Sequence, residues 1–423
     1  MRLGWVIWAT RAPNSFADPA EYLRIASSFS HGHTARFFGG GGPSAFWPPG
    51  YPAVLAPFVW IAESTGWISS AFVASLVNVV AGTGTIILSG FLAGRWIHPG
   101  ARAVAAWLVA LWPALIFWTS TAHSETVFTV AFLGVLALST VGAVEGSTRR
   151  WLLVGLLVGA AFLIRSPGII GLGVPALAIR AATGSWRGAA RASWVVAVAA
   201  ALLLVPWTIR NGIQVGIWTP ASTNNAMAVC FGHHDRAQTL WNPGELTPAE
   251  QAYCLRGSVW DDQRLRDTYE AIGRPPPPGL AVGQPDEPQW YRDSMVNAAQ
   301  WAVRHPREEA RLSILKVWET WSNEGRVVDG ARNYAEPGWA GRWQSPLSAA
   351  ADLWLWVVGA FALVSLVAVP ASRRALPIWV PIALVTLAIV GGIAEPHYRH
   401  PVVPLVAVLA AGFPRRPDIG VET

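Results

Sequence analysis

Six carboxylates stand beside long apolar runs, away from the polar stretches that hold the other acids: Asp18, Glu21, Glu63, Glu125, Asp352 and Glu395. Three arginines, Arg165, Arg210 and Arg399, sit at the ends of apolar runs in the same way. Such a set suits one kind of chemistry. Guanidinium forks bind phosphate, and a carboxylate takes the proton of an attacking hydroxyl. Each residue also has a plainer reading. Asp18 precedes a helix expected over 19–29 and would cap it. Glu125 follows His123 and Ser124 at a helix start, where an acid favours the dipole. Glu21 reads as a solvated helix residue, and helix-end arginines reach headgroups by snorkelling. Arg165 resists this best. It lies in Phe162-Leu163-Ile164-Arg165-Ser166-Pro167-Gly168, where Pro-Gly breaks the helix between two short apolar runs. An ionisable group at that depth is costly and usually functional.

Other constellations are weaker. His233-His234-Asp235 lacks the spaced ligands of a metal site, and the chain has no Asp-x-Asp pair, so no divalent metal and no cofactor is expected. The glycines at 39–42 lack any nucleotide-loop context. Cys230 and Cys254 are the only cysteines. Both fall in a segment placed in an oxidising compartment, so a disulfide is expected, with two free thiols as the alternative.

The elements that must position these residues are membrane helices. Of 423 residues, 52% are hydrophobic and only 13% charged, about half the charged share of a soluble protein. Mean hydropathy is +0.36. Apolar runs lie at 68–93, 101–119, 125–144, 193–209, 352–370 and 376–393, with shorter ones at 151–164, 167–179 and 400–413. With the opening stub, read as a truncated first helix, they make about ten crossings. The basic residues are 30 arginines and the single lysine Lys316. With a cytoplasmic amino terminus, every inner loop or terminus carries arginine: Arg2, Arg95, Arg102, Arg149, Arg150, Arg180, Arg187, Arg191, Arg373, Arg374, Arg415 and Arg416. This is the positive-inside pattern, and it argues against reading the basic charge as a nucleic-acid footprint. The fold class is therefore an all-α polytopic membrane protein with a small extracytoplasmic mixed domain. An N-terminal transmembrane module (1–209) contains a first outer loop at 11–67, with an interfacial helix over 51–62. The extracytoplasmic domain covers 210–351, helical from about 289 to 322. C-terminal helices and a cytoplasmic tail follow (352–423). All six isolated acids and the three arginines then face outward.

Asp18-Pro19-Ala20-Glu21-Tyr22 and Phe46-Trp47-Pro48-Pro49-Gly50-Tyr51-Pro52 resemble the first outer loop of the C-type (GT-C) membrane glycosyltransferases. The nearest set is the protein O-mannosyltransferase-like superfamily, which includes the lipid A aminoarabinose transferases. Ser124-Glu125-Thr126, Pro206-Trp207-Thr208-Ile209-Arg210-Asn211 and Tyr398-Arg399-His400-Pro401 resemble further family segments, in the family's order. Aminoarabinose transferases carry Glu-Lys before the Pro-rich turn, where this chain has Phe46-Trp47.

The resemblance implies a multi-pass enzyme of a bacterial inner membrane, with its site on the outer face. It would move a hexosyl or pentosyl group from a polyprenyl-phosphate donor to an extracytoplasmic glycan, glycolipid or protein, with inversion. The catalytic Asp falls on Asp18 as general base. Arg399, Arg210 and Arg165, in that order, would bind the donor phosphate. Tyr22, Trp47, Tyr51, Glu125 and Tyr398 would shape the sugar and acceptor pocket. The competing function is a transporter or flippase of lipid-linked intermediates; it would place ionisable groups near mid-membrane and show repeat symmetry, and no repeat is visible. A non-catalytic envelope scaffold is the third reading.

Overall fold

The computed structural model describes residues 1–13, 18–36, 42–234, 237, 254, 286–333, 335–336 and 341–413. The glycines at 39–41, Asp235, the proline run at 275–278 and the C-terminal Arg415 and Arg416 lie outside the described residues. The first half comprises α1 (Arg2–Ala9), α2 (Asp18–Ser30), α3 (Gly50–Thr65), α4 (Ser70–Trp96), α5 (Ala101–Ala110), α6 (Pro113–Phe117), α7 (Glu125–Glu145), α8 (Thr148–Ile164), α9 (Val174–Thr183) and α10 (Ala189–Gln214). Then come α11 (Asn225–Gly232), α12 (Glu287–Arg304), α13 (Pro306–Ser322), α14 (Gly325–Asn333), α15 (Gln344–Ala368), α16 (Pro370–Arg374), α17 (Leu376–Val390) and α18 (Val403–Ala410). The described strands are two residues each: β1 (Ala12–Pro13) pairs antiparallel with β2 (Ala335–Glu336).

Five described stretches are long and apolar enough to cross a membrane: α4, α7, Ser166–Thr183, α10 and Gly341–Ala368. A sixth forms if Ala101–Ala110 and Pro113–Ser120, bent by 62°, count as one span. The protein is a polytopic all-α membrane protein. The remaining apolar runs of the expected ten crossings form shorter helices, 17 residues in α8, 15 in α17 and 8 each in α1 and α18. Helix α8 is nevertheless central. It packs on α7 and α10, and a Cβ on Gly155 would lie 2.5 Å from the Val196 carbonyl. Small residues there let two helix backbones approach closely.

Two breaks decide the architecture. Pro113 cannot donate a backbone hydrogen bond, so α5 stops at Ala110 and the chain turns. The freed carbonyls of Val109 and Ala110 accept from the Arg2 guanidinium, at 3.1 and 3.4 Å. Arg2 is therefore buried beside Gly82, midway along α4, not in the inner loop where the charge pattern puts it. The second break is Arg165, whose extended backbone (φ −154°, ψ 135°) ends α8 ahead of Pro167.

Where they are described, residues 210–351 are mostly helical, with β2 as the exception. The helix expected over 289–322 is two helices, because Pro306 interrupts it and starts α13. Both proposed boundaries fall inside helices, since α10 runs on to Gln214 and α15 begins at Gln344. Cys230 and Cys254 are disulfide-bonded. The only lysine, Lys316, is buried, and its ammonium donates to Gly232 and Val390, the last carbonyls of α11 and α17. A cation there complements the two helix dipoles.

Candidate active site

The first residue of α2 is Asp18. Its carboxylate Oδ1 accepts the indole N–H of Trp47 at 3.3 Å, and Oδ2 takes no donor among the described residues. No backbone N–H of α2 donates to it among the described residues, so the capping reading gains no support. The next three residues of the chain place Trp47. Pro48 and Pro49 stiffen the turn, and Gly50 starts α3 against the end of α8. A Cβ at Gly50 would stand 2.6 Å from the Ile164 amide nitrogen. Only glycine fits that approach, and it brings the Trp47 turn next to Arg165. One helical turn after Asp18, Tyr22 meets the ring of Tyr51 edge-on at 5.3 Å. The Tyr51 hydroxyl reaches Asn78 at 3.5 Å.

Arg165 faces this group from α8. Its Nη1 donates to Glu125 Oε1 at 2.7 Å and to Ser124 Oγ at 3.1 Å. The guanidinium lies over the Tyr398 ring, 5.5 Å from its centre. Its Nε and Nη2 meet no acceptor among the described residues, and the side chain keeps 18% of its exposure. A guanidinium anchored by one nitrogen, with the other edge open, is built to take an anion. Glu125 is buried with Oε2 unpartnered. His397 stands between two carboxylates, 3.5 Å from Glu125 and 3.7 Å from Glu395, and stacks on Trp118 at 5.0 Å.

Electrostatics follow from this burial. Burial raises the Asp18 carboxyl above the ordinary aspartate range, against the opposing pull of the Trp47 hydrogen bond and the Arg165 charge. Asp18 is therefore more basic than a solvated aspartate. Burial and then Arg165 push His123 and His397 well below the ordinary imidazole range, while burial and then Arg399 bring His400 to about 3. The three imidazoles are neutral at pH 7. Burial raises the Tyr22 and Tyr398 phenols, which keep their protons as donors.

The structure thus gathers Asp18, Tyr22, Trp47, Tyr51, Glu125, Tyr398 and Arg165 around one locus. The other two arginines are committed elsewhere. Arg399 is fully buried in an ion pair with Glu324, whose other oxygen takes the Trp112 indole N–H at 2.6 Å. Its Nε and Nη1 have no partner among the described residues, but the side chain is sealed from solvent and from any ligand. Arg210 donates to the Ser44 and Ala35 carbonyls at 2.7 and 2.6 Å and to the Thr34 hydroxyl at 2.8 Å. It staples Thr34, Ala35 and Ser44 to α10. Of the three phosphate candidates, Arg165 is the one whose charge acts on Asp18 and whose guanidinium edge stays partly exposed. Two carboxylates also differ from expectation. Glu21 is not solvated: it is buried and paired with Arg24 at 2.7 Å. Asp352 accepts the Glu324 and Gly325 amides at 2.6 and 2.7 Å, capping α14. Glu63 is exposed.

Four residues of the site and its supports were not singled out from the sequence: His397, Glu324, Glu287 and Trp118. Their partners lie far along the chain. The Trp118 indole donates to the Val327 carbonyl at 2.9 Å across 209 residues. His397 alone had a local signal, standing beside the Tyr398-Arg399-His400-Pro401 segment.

No family model matches the chain, and no curated protein matches it. Two solved structures are similar to it, both crystal structures of ArnT from Cupriavidus metallidurans, one in the apo state and one bound to undecaprenyl phosphate. Each is 17% identical to this chain and covers 97% of it. The match takes in 75% of the apo chain at a TM-score of 0.41 and 76% of the bound chain at 0.42. Function has to be argued from the chain's own residues.

Proposed function

We propose that this protein is an integral-membrane, inverting glycosyltransferase that uses a polyprenyl-phosphate sugar and an extracytoplasmic hydroxyl acceptor. The observation that carries the reading is the placement of Asp18 within the electrostatic reach of Arg165, a guanidinium bonded through Nη1 alone. The acceptor oxygen attacks the anomeric carbon and forms the new glycosidic bond. Its proton passes to the Asp18 oxygen that Trp47 does not hold. The bond from the anomeric carbon to the phosphate oxygen breaks, and the lipid phosphate leaves with that electron pair and one more negative charge. Arg165 meets the new charge through Nε and Nη2, an interaction stronger in the transition state than in the bound donor. Phosphate is a good leaving group, so no acid is required. The carboxylate of Glu125 holds Arg165 from behind, and the neutral imidazole of His397 lies against that carboxylate. Glu125 Oε2, Tyr22 and Tyr398 offer hydrogen bonds to sugar hydroxyls.

The test uses purified protein with a panel of radiolabelled polyprenyl-phosphate hexoses and pentoses, scoring label lost from the donor and gained by an acceptor. Transfer with one donor supports the reading. Absence of transfer with every donor, together with donor translocation in vesicles, replaces it with the transporter reading.

A further inference from the structure

The first outer loop is clasped by the extracytoplasmic segment just before the turn that carries Trp47. The Ala45 amide donates to Glu287 Oε1 at 3.1 Å, and the Ala45 carbonyl accepts the Thr223 amide at 2.9 Å. The Phe46 carbonyl accepts the Asn224 amide at 3.3 Å. Glu287 Oε1 also accepts the Thr223 hydroxyl, so one carboxylate oxygen ties both sides of the clasp. Phe46 packs between Trp290 and Trp47, with centroids 5.9 and 4.6 Å away. On the far side of the turn, Gly50 abuts the backbone of α8. Trp47 is therefore fixed at both ends, by Glu287 upstream and by Gly50 downstream, and the indole N–H points at Asp18.

We infer that Glu287, at the head of α12, is a positioning residue for the base: through the Ala45 amide it sets the Trp47 indole that orients Asp18. The inference rests on the reading of Asp18 as general base. A purely structural carboxylate would serve equally well anywhere along the interface. Glu287 instead grips the backbone two residues from the indole that touches Asp18, and it is 2% exposed with Oε2 unpartnered. Burying a carboxylate so poorly compensated is costly, and Arg210, bonded to the same loop, supplies the countercharge. An extracytoplasmic helix is in this way wired to the chemistry at the membrane face.

The measurement is the pH profile of sugar transfer at saturating donor for wild type, Glu287→Ala, Trp47→Phe and the double variant. If Glu287 acts through Trp47, Glu287→Ala moves the acid limb upward by about one pH unit, the shift expected from losing the indole hydrogen bond. The double variant then behaves like Trp47→Phe alone, because residues acting in one chain are not additive. Donor KM of Glu287→Ala stays within about threefold, since Glu287 does not line the pocket in this reading. Glu287→Asp keeps the charge but falls one methylene short of the Ala45 amide. It is scored identically if the alanine variant does not fold. An unmoved acid limb, or losses that multiply in the double variant, overturns the positioning role. An active Asp18→Asn enzyme would overturn the base assignment instead, so the two failures are separable.

Discussion

Replacing Trp47 by Phe removes the donor to Asp18 and leaves a ring in its place. Burial has raised the Asp18 carboxyl, and the indole hydrogen bond opposes that rise because it stabilises the charged form. Without it, the carboxyl rises further. Hydrogen bonds to charged groups contribute about 1.5–3 kcal/mol. At 3.3 Å the bond is long, which puts it at the low end, about 1.5 kcal/mol. One pH unit corresponds to about 1.4 kcal/mol, so the expected shift is about one unit. The sign follows from the chemistry. A general base works only when deprotonated, activity is lost as pH falls through its pKa, and a higher pKa moves that loss to higher pH. The Trp47→Phe profile should therefore keep its alkaline plateau and lose activity earlier on acidification. Initial rates of label transfer at saturating donor and acceptor, with monodispersity checked by gel filtration at each pH, give the profile. An acid limb that stays put, or that moves to lower pH, would mean that Asp18 is not the titrating base.

Asp18→Asn should lower transfer by on the order of 10²–10⁴ while still binding donor; Glu63→Gln, at an exposed position, is the matched control and should keep wild-type rates. The same Asp18 variant should be at least as stable as wild type at neutral pH. A carboxyl whose folded pKa lies above its unfolded value loses stability as pH rises between the two, so the thermal midpoint gap should shrink on acidification; a midpoint well below wild type at pH 7 refutes this. Arg165→Gln should reduce kcat by about 10²–10³, the usual cost of one transition-state donor, whereas Arg210→Gln should act mainly through stability; equal kcat losses at wild-type stability would sink the ranking. Cysteines at the exposed positions Arg187 and Arg374 should resist membrane-impermeant labelling in intact cells, and one at Glu63 should react; the reverse pattern inverts the topology.

Part of this site was legible in the sequence because its information is local. The Asp18–Tyr22 spacing, the Pro-Pro-Gly-Tyr-Pro turn and the isolated Arg165 each lie within a few residues. The helix interruptions were also written there, at Pro113 and Pro306. Reading each run as one element failed because a long apolar or periodic stretch outweighs a single proline in any pattern count, although that proline removes a donor and crowds the preceding turn. Arg2 shows the opposite error. The charge pattern assigned it to an inner loop, but the carbonyls released by the Pro113 break are stronger local partners for a guanidinium than headgroups are.

What sequence cannot rank is which of several arginines remains available. Arg399, Arg210 and Arg165 each stand at the end of an apolar run. They differ only in what the fold places against them. Arg399 meets a carboxylate 75 residues away, and Arg210 meets backbone carbonyls 166 and 175 residues away. Arg165 meets Glu125 through a single nitrogen, with Nε and Nη2 left open. Arg399 also meets its carboxylate through one nitrogen, with Nε and Nη1 unpartnered among the described residues, but its side chain has no exposure and a ligand has no path to it. Arg165 keeps 18% of its side-chain exposure, so its open edge is within reach of a ligand, and its desolvation is partly compensated by Glu125 beforehand. Availability, and not charge or position along the chain, is therefore the physical quantity that selects Arg165, and it exists only once distant acceptors have been assigned.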